Sequence, residues 1–230
     1  GTAKAMASKG FRNPTMKDMY LYPPSNENLE AERLWNYELS WRQRLHFGKY
    51  TKTDSVYYHE ELVSVEKEKY FHGITYGVNL FYMKADNMIQ TVAKKNVNTG
   101  ELENWGAEAE LSWTIKEHWG ISTNHSWLHQ ENKLVSVPTY KGYLGVDWYS
   151  KKHKWMASVG LQQLAGLYTA VGKDEQKENV TLLNATVKYN LNKYISLWAK
   201  GENLLAQEYE ILAGYPMPKA TAMGGVKISF

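Results

Sequence analysis

The sequence contains no cysteine and no long apolar run. The absence of cysteine among 230 residues excludes a disulfide scaffold, a zinc site with cysteine ligands and thiol catalysis. It is compatible with export through an oxidising compartment. The mean hydropathy is −0.56, and no run of about 18 apolar residues occurs, so a transmembrane helix is excluded. A transmembrane strand is still allowed, because it needs only about 10 residues of which every second one is apolar.

The sequence also has little net charge and little phenylalanine. A formal charge of +3 gives no support to nucleic-acid binding. The 9 tryptophans and 17 tyrosines stand against only 5 phenylalanines, so aromatic rings with a polar tip are preferred over the purely apolar ring. This preference is typical of a membrane–water interface, although protein–protein interfaces enrich the same residues. The first ten residues lack the charged and apolar regions of a signal peptide.

Alternating apolar and polar residues predict antiparallel strands along most of the chain. In the segment WGAEAELSWTI, for example, Trp105, Leu111 and Trp113 alternate with Glu108 and Glu110. Strands are predicted in the same way at 35–45, 74–83, 118–128, 140–148, 155–164, 182–191 and 195–203. With a first strand over about 2–9 and a last over about 220–230, the sequence predicts about ten strands.

Aromatic residues on the apolar face recur at a spacing of eight. Eight residues in a tilted strand project to roughly 20 Å along a barrel axis, close to the separation of two aromatic girdles. The predicted girdle residues are Trp105, Trp113, Trp119, Trp127, Tyr140, Trp148 and Trp155. A soluble β-sandwich also alternates, but its strands are usually about 5–6 residues long. Several strands here sustain alternation for longer, which favours a membrane barrel with short turns at its periplasmic rim.

Three stretches resemble the C-terminal half of the TonB-dependent outer-membrane receptors. SKGFRNPTMKDMYLYPPSNENLEAERLWNYELSW is similar to the family's GFRxPTxxExY, loop and NPxLxPExxxNYE, with Ala31 in place of a proline. FYMKADNMIQTV and NTGELENWGAEAELSW are similar to the family's FYxxxxNxI and NxGxxxxGvExel. GENLLAQEYEILAGYPMPKATAMGGVKISF resembles the closing strands, with Lys219 and Ala220 in place of the usual Gly-Arg.

The resemblance implies an all-β fold, an antiparallel transmembrane barrel of the outer membrane of a Gram-negative-type bacterium. Family members have 22 strands around an N-terminal plug and import ferric siderophores, haem, cobalamin or glycans with energy delivered through TonB. About ten strands use up residues 1–230 as a single domain, so no plug is expected within this chain. The implied partners are outer-membrane lipid, the assembly machinery, the remaining barrel strands and plug, TonB, and a small-molecule or chelate ligand.

Two other functions stay open at this point. The chain could form a free-standing barrel of about ten strands, closed by pairing its first and last strands, with a structural, binding or pore role. An outer-membrane hydrolase would need a convergent cluster of acidic residues and histidine. We expect no catalytic constellation, cofactor or metal site. His125 and His129 lie about 13 Å apart on a strand, and Glu108 and Glu110 are expected to belong to a solvated, charge-paired wall.

Two segments are singled out by their length. Residues 10–33 are predicted to form a long extracellular loop. Residues 49–72 stand where the family has a short turn; they could extend both flanking strands, protrude into the periplasm or form a further hairpin.

Ligand contacts are predicted in the loops and near the top of the lumen. Aromatic rings together with arginine suit planar or anionic chelates, and packing between loops is the alternative role. The candidates are Phe11, Arg12, Tyr20, Tyr22, Tyr168, Tyr209 and Tyr215.

The segment GGVKISF is predicted to be the closing strand. Val226, Ile228 and Phe230 alternate with Lys227 and Ser229, so the three apolar residues form its lipid face. A terminal aromatic on such a strand resembles the signal that the outer-membrane assembly machinery recognises, and we expect a true C-terminus there.

Overall fold

The computed structural model describes residues 1–21, 23–58, 61–92 and 94–229, with the backbone alone described at 52, 54–58, 61–63, 65 and 68. None of the helices in these ranges is long and apolar enough to cross a membrane. The elements in chain order are β1 (Thr2–Arg12), α1 (Met16–Tyr20), β2 (Glu32–Tyr58), β3 (Glu61–Val92), β4 (Lys95–Ile115), β5 (Trp119–Gln130), β6 (Pro138–Tyr149), β7 (Trp155–Ala170), β8 (Gln176–Asn190), β9 (Ile195–Glu202), β10 (Glu210–Leu212), β11 (Tyr215–Pro216) and β12 (Thr221–Ile228).

Ten of the strands form one antiparallel sheet in the order β1-β2-β3-β4-β5-β6-β7-β8-β9-β12. The predicted fold class and strand number are therefore confirmed. Strands β10 and β11 form a small hairpin within the connection between β9 and β12. Since β1 and β12 lie at opposite ends of the strand order, the sheet is open, and the pairing that would close a free-standing ten-stranded barrel is not present in the described chain.

The sheet has one apolar face and one polar face. One cross-strand row on the apolar face runs Ala5, Leu39, Leu80, Ala107, Trp127 and Tyr140, and the adjacent row on the polar face runs Lys4, Ser40, Asn79, Glu108, Ser126 and Lys141. On the apolar face Leu39 is 57% exposed and Leu80 is 53% exposed, so no protein layer covers them. An apolar surface of this extent is unfavourable in water and is what a lipid-facing wall requires.

The segment 49–72 extends both flanking strands as one hairpin. Its register continues from Lys49↔Tyr70 to Tyr58↔Glu61. The neighbouring strands stop earlier, because β1 begins at the Thr2↔Arg42 pair and β4 ends at the His72↔Ile115 pair. This part of the hairpin therefore pairs with no other strand in the described chain.

The base of this hairpin is held by the turn between β4 and β5. The Lys116 backbone N–H donates to the Phe71 carbonyl at 2.5 Å, and the Lys116 ammonium lies 4.6 Å from the centre of the Phe71 ring. Lys69 and Glu117 form an ion pair beside them. The Phe71 side chain also covers Gly48, which has a φ of +70° and where an added Cβ would lie 3.1 Å from the Phe71 Cβ. These contacts fix the position of the hairpin where it extends beyond the neighbouring strands.

Candidate functional site

The two ends of the sheet differ in their connections. We call the end with the longer connections the loop end and the opposite one the turn end. The loop end carries the connections 13–31, 131–137, 171–175 and 203–220, and the turn end carries 116–118, 150–154 and 191–194. All the described candidates for ligand contact lie at the loop end.

At the loop end, the short helix α1 is capped by its own sequence. The Asp18 backbone N–H donates to the Thr15 hydroxyl at 3.1 Å, and the Asp18 carboxylate accepts from the Thr15 backbone N–H at 2.9 Å. The Thr15 backbone N–H, its hydroxyl and the nearby Arg12 guanidinium lower the pKa of Asp18. Arg12 also pairs with Glu32 at the start of β2. Its guanidinium therefore serves the loop structure, which leaves less of it available to a ligand.

Asparagine side chains fasten this loop to the ends of β3 and β4. Asn26 donates to the Asn96 carbonyl at 2.8 Å, and the Asn96 side chain donates to the Asp18 carbonyl at 2.7 Å. Asn98 donates to the Glu30 carbonyl at 2.9 Å and accepts from the Glu30 N–H at 2.7 Å. The alternation of Asn96 and Asn98 on one strand face is the signal that sequence reasoning missed.

A cavity of about 390 Å³ lies beneath this loop, among β1, β2, β3 and β4. Its lining is apolar apart from the Arg12–Glu32 ion pair and Arg33. The apolar lining includes Leu34, Met83, Ala85, Met88 and Leu102. A cavity with an apolar wall and a charged rim can hold a molecule that has both kinds of surface. None of the lining residues other than Arg12 and Phe11 was a sequence candidate.

The remaining candidates fall into a second group at β7 and the last connection. The ammonium groups of Lys133 and Lys177 lie 5.2 and 5.5 Å from the centre of the Tyr168 ring, and Lys133 is paired with Glu175 at 2.6 Å. Tyr209 packs on the buried cluster of Leu164, Val180 and Leu182, and its burial raises its pKa. Tyr209 is thus a packing residue in this structure.

The candidates do not form one site. Phe11 is 74% exposed and alternation places it on the apolar face with Ala7, away from the polar face. Tyr20 and Tyr215 are 46% and 68% exposed in different connections. Tyr22 lies outside the described residues.

At mid-height on the polar face, Glu110 is charge-paired as expected, whereas Glu108 has a neutral partner. A groove of about 840 Å³ runs along it. Arg42 pairs with Glu110, and Asn79 donates to Glu108 at 3.2 Å. The described residues contain no group of three or more acidic residues or histidines placed to hold a metal.

The predicted girdle residues pair across strands on the apolar face. Trp119 lies opposite Trp148, and Trp127 lies opposite Tyr140, at the two ends of β5 and β6. Trp105 stacks on His129 at 5.0 Å. Trp113 donates to His72 at 3.2 Å, and the Trp155 ring lies 4.4 Å from Tyr189. Membership of a membrane girdle remains a prediction for these residues.

His125 lies on the same face with both ring nitrogens bonded. The nitrogens lie 2.9 Å from the Thr123 hydroxyl and 2.7 Å from the Tyr140 hydroxyl. Tyr140 reaches it across Gly142, where a Cβ would lie 2.5 Å from the Tyr140 hydroxyl. His125 is therefore a polar group on the apolar face whose ring nitrogens are both satisfied within the protein.

The closing strand β12 presents Val226 and Ile228 on the apolar face, 60% and 58% exposed. Phe230 lies outside the described residues, so the predicted assembly signal stays a prediction.

An antiparallel sheet with one exposed apolar face, one polar face and loops gathered at one end is the wall of a transmembrane β-barrel. Residues 2–204 match the family described as TonB dependent receptor-like, beta-barrel, and the chain belongs to this family. No curated protein sequence matches it.

Solved structures of the same fold are transporters and receptors. A mutant of the ferric enterobactin receptor PfeA from Pseudomonas aeruginosa has a TM-score of 0.73 at 16% identity, over 99% of this chain and 38% of that one. The copper transporter OprC has a TM-score of 0.71 at 14% identity, over 99% and 37%. The ferric yersiniabactin uptake receptor FyuA from Yersinia pestis has a TM-score of 0.70 at 15% identity, over 99% and 35%. The chain thus spans less than two fifths of the length of these proteins.

Proposed function

We propose that this chain supplies barrel wall and extracellular loops to an outer-membrane receptor that takes up a scarce nutrient with energy delivered through TonB. The observation that carries the proposal is the family match over residues 2–204. The nutrient classes that fit are siderophore-bound iron, haem, cobalamin or a similar compound. In this arrangement the loop end faces the outside of the cell and the turn end faces the periplasm.

The cavity beneath the β1–β2 loop supports this proposal. It lies at the loop end, which faces the outside of the cell in this proposal, and its wall is built from side chains on four neighbouring strands. Because Arg12 is already bonded to Glu32 and Asp18, the apolar part of the cavity has the larger free surface for a ligand. We therefore expect Leu34 and Met83 to contact the nutrient.

Filling the cavity tests this function. In cells whose nutrient uptake depends on the receptor that contains this chain, Leu34→Trp is expected to lower uptake of a radiolabelled nutrient by about tenfold or more, equivalent to roughly 1.4 kcal/mol of binding free energy. Leu39→Trp is the matched control, since Leu39 lies on the same strand but on the exposed apolar face. Both variants should reach the outer membrane in equal amounts. Equal uptake by the two variants would contradict the cavity's role.

The free-standing small barrel is the alternative function. It requires β1 to pair with β12, and these strands lie at opposite ends of the sheet.

A further inference from the structure

Lysine side chains converge at the turn end of the sheet. A cavity of about 450 Å³ lies between the turn after β6, the turn after β8 and the end of β12. Its cationic lining consists of Lys152, Lys154, Lys188, Lys193 and Lys227, with His153 beside them. We call it the lysine cavity. No acidic residue lines it, and none of the five lysines has an ion-pair partner among the described carboxylates.

The two turns that carry these lysines are bonded to each other. The Asn190 backbone N–H donates to the Lys154 carbonyl at 2.7 Å, and the Asn190 side chain donates to the His153 carbonyl at 2.7 Å. On the other side, the Ser229 N–H donates to the Tyr194 carbonyl at 2.8 Å. The backbone positions of the lysines are consequently fixed relative to one another.

The turn after β8 is also fixed internally. The Asn192 side-chain oxygen accepts from the N–H groups of Tyr194 and Ile195, at 2.8 and 2.9 Å. A rigid turn cannot move its lysine away from the others by changing its backbone. The five lysines therefore stay in the lining of one cavity, where their positive charges add.

Five like charges around one cavity repel each other, and an anion bound between them removes that repulsion. The chemistry of the lining indicates which anion. Lysine binds phosphate as a point charge, and a phosphate group offers three acceptor oxygens to the ammonium groups around one cavity, whereas a carboxylate offers two. The hydroxyl groups of Ser196 and Ser229 in the same lining add neutral donors for phosphate oxygens.

We propose that the lysine cavity binds phosphate carried by a soluble anion, because Lys188 and Lys227 lie on the polar face of the sheet, away from the lipid-facing side. The site lies at the opposite end of the sheet from the cavity beneath the β1–β2 loop, and the proposal does not depend on which nutrient is taken up. Lys188 and Lys227 lie on strands and form its inner wall, and the turn lysines form its rim.

The experiment uses the receptor that contains this chain, purified from membranes in detergent. Isothermal titration calorimetry with inorganic pyrophosphate tests the free anion, and native mass spectrometry with phosphatidylglycerol against phosphatidylcholine tests the lipid headgroup. The variant Lys188→Gln/Lys227→Gln is expected to weaken binding of the phosphate-bearing probe by about tenfold, since two charge interactions near water are removed. Binding should also weaken as salt is raised.

The control is Lys94→Gln/Lys173→Gln, which removes two exposed lysines from the loop end. Both double variants should keep the heat-dependent gel migration of a folded barrel. Binding of pyrophosphate supports the proposal, and binding of phosphatidylglycerol alone would overturn it, since the phosphate would then be held by a lipid headgroup at the rim. The proposal is overturned if neither probe binds, if the control variant loses as much binding, or if polyglutamate binds as tightly as pyrophosphate, which would indicate an acidic peptide instead.

Discussion

Asn203 fixes the long connection between β9 and β12 through one buried amide. It is 5% exposed and its φ of +48° is a left-handed conformation that asparagine tolerates better than most residues. Its side-chain oxygen accepts from the Gln207 N–H at 2.9 Å, and its side-chain nitrogen donates to the carbonyls of Gln207 and Pro218, at 2.9 and 3.1 Å. The Asn203 side chain thus bonds three backbone groups that would pair with a neighbouring strand in a regular sheet.

Asn203→Ala should open this connection. The substitution leaves the Gln207 N–H and two carbonyls without their partner, at a cost of roughly 1–3 kcal/mol. Hydrogen exchange at Gln207 should become faster, while exchange in β5 stays unchanged. Asn132→Ala is the matched control, since Asn132 makes one exposed bond of 3.3 Å. Unchanged exchange at Gln207 would show that the side chain does not hold the loop.

At the scale of elements, α1 depends on one carboxylate. The pKa of Asp18 is lowered from its ordinary value near 3.8, first by the Thr15 backbone N–H, then by the Thr15 hydroxyl and by Arg12. A carboxylate whose pKa is lower in the folded state stabilises the fold above its unfolded pKa, and this contribution is lost as pH falls through the folded pKa. The helix should therefore be most stable in neutral solution and loosen in acid.

Amide exchange of residues 16–20 measured against pH checks this. Protection should fall below about pH 4, with a helix-cap contribution of about 1 kcal/mol. In Asp18→Asn the protection should already be low at pH 7 and should not change with pH in the acid range. A wild-type exchange profile that is flat from pH 6 to pH 2, after correction for the intrinsic exchange rate, would refute the role of Asp18.

The extended β2–β3 hairpin should be dispensable for the fold. Beyond Lys49↔Tyr70 it pairs with no other strand among the described residues. Replacing residues 52–67 by a two-residue turn keeps Tyr50, Lys69 and Phe71, which form the base. We expect the shortened receptor to assemble with wild-type yield and heat-dependent gel migration. Loss of assembly would show that the hairpin contributes to folding or binds a partner during it.

The sequence predicted the strands well because alternation is a local property. Trp119 and Trp127 lie on the same face because they are eight positions apart and side chains on a strand alternate between faces with a period of two. The loop contacts could not be predicted from the sequence, because Asn26 and Asn96 are 70 positions apart and nothing near either residue identifies the other as its partner. The lining of the cavity was missed for a similar reason. Met83 and Leu102 belong to different strands, and only the register brings them to one wall.

At the scale of the whole molecule, the sheet has two unpaired edges. The N–H and C=O groups along the outer side of β1 and β12 have no strand partner in the described chain. Unpaired edges bind other strands readily, and charged residues, bulges or covering segments usually prevent this. The 230 residues alone are therefore an incomplete wall.

The isolated chain refolded in detergent should associate. We expect size-exclusion chromatography with light scattering to give oligomers, and co-refolding with the preceding strands of the receptor to give a discrete species. A monodisperse monomer with heat-dependent gel migration would instead support the free-standing barrel. This result would also require β1 and β12 to pair, which cross-linking between Ala5 and Val226 positions could detect.

The hairpin at the turn end also offers a label for orientation. Since the chain contains no cysteine, Ser64→Cys would introduce its first thiol, on an exposed residue of the hairpin. A maleimide dye that cannot cross the outer membrane would leave this thiol unmodified in intact cells if the hairpin faces inward. The same dye would modify Asp174→Cys, on an exposed residue of the opposite end. Comparing the labelling of these two single-cysteine variants thus reports which end of the sheet faces the outside of the cell.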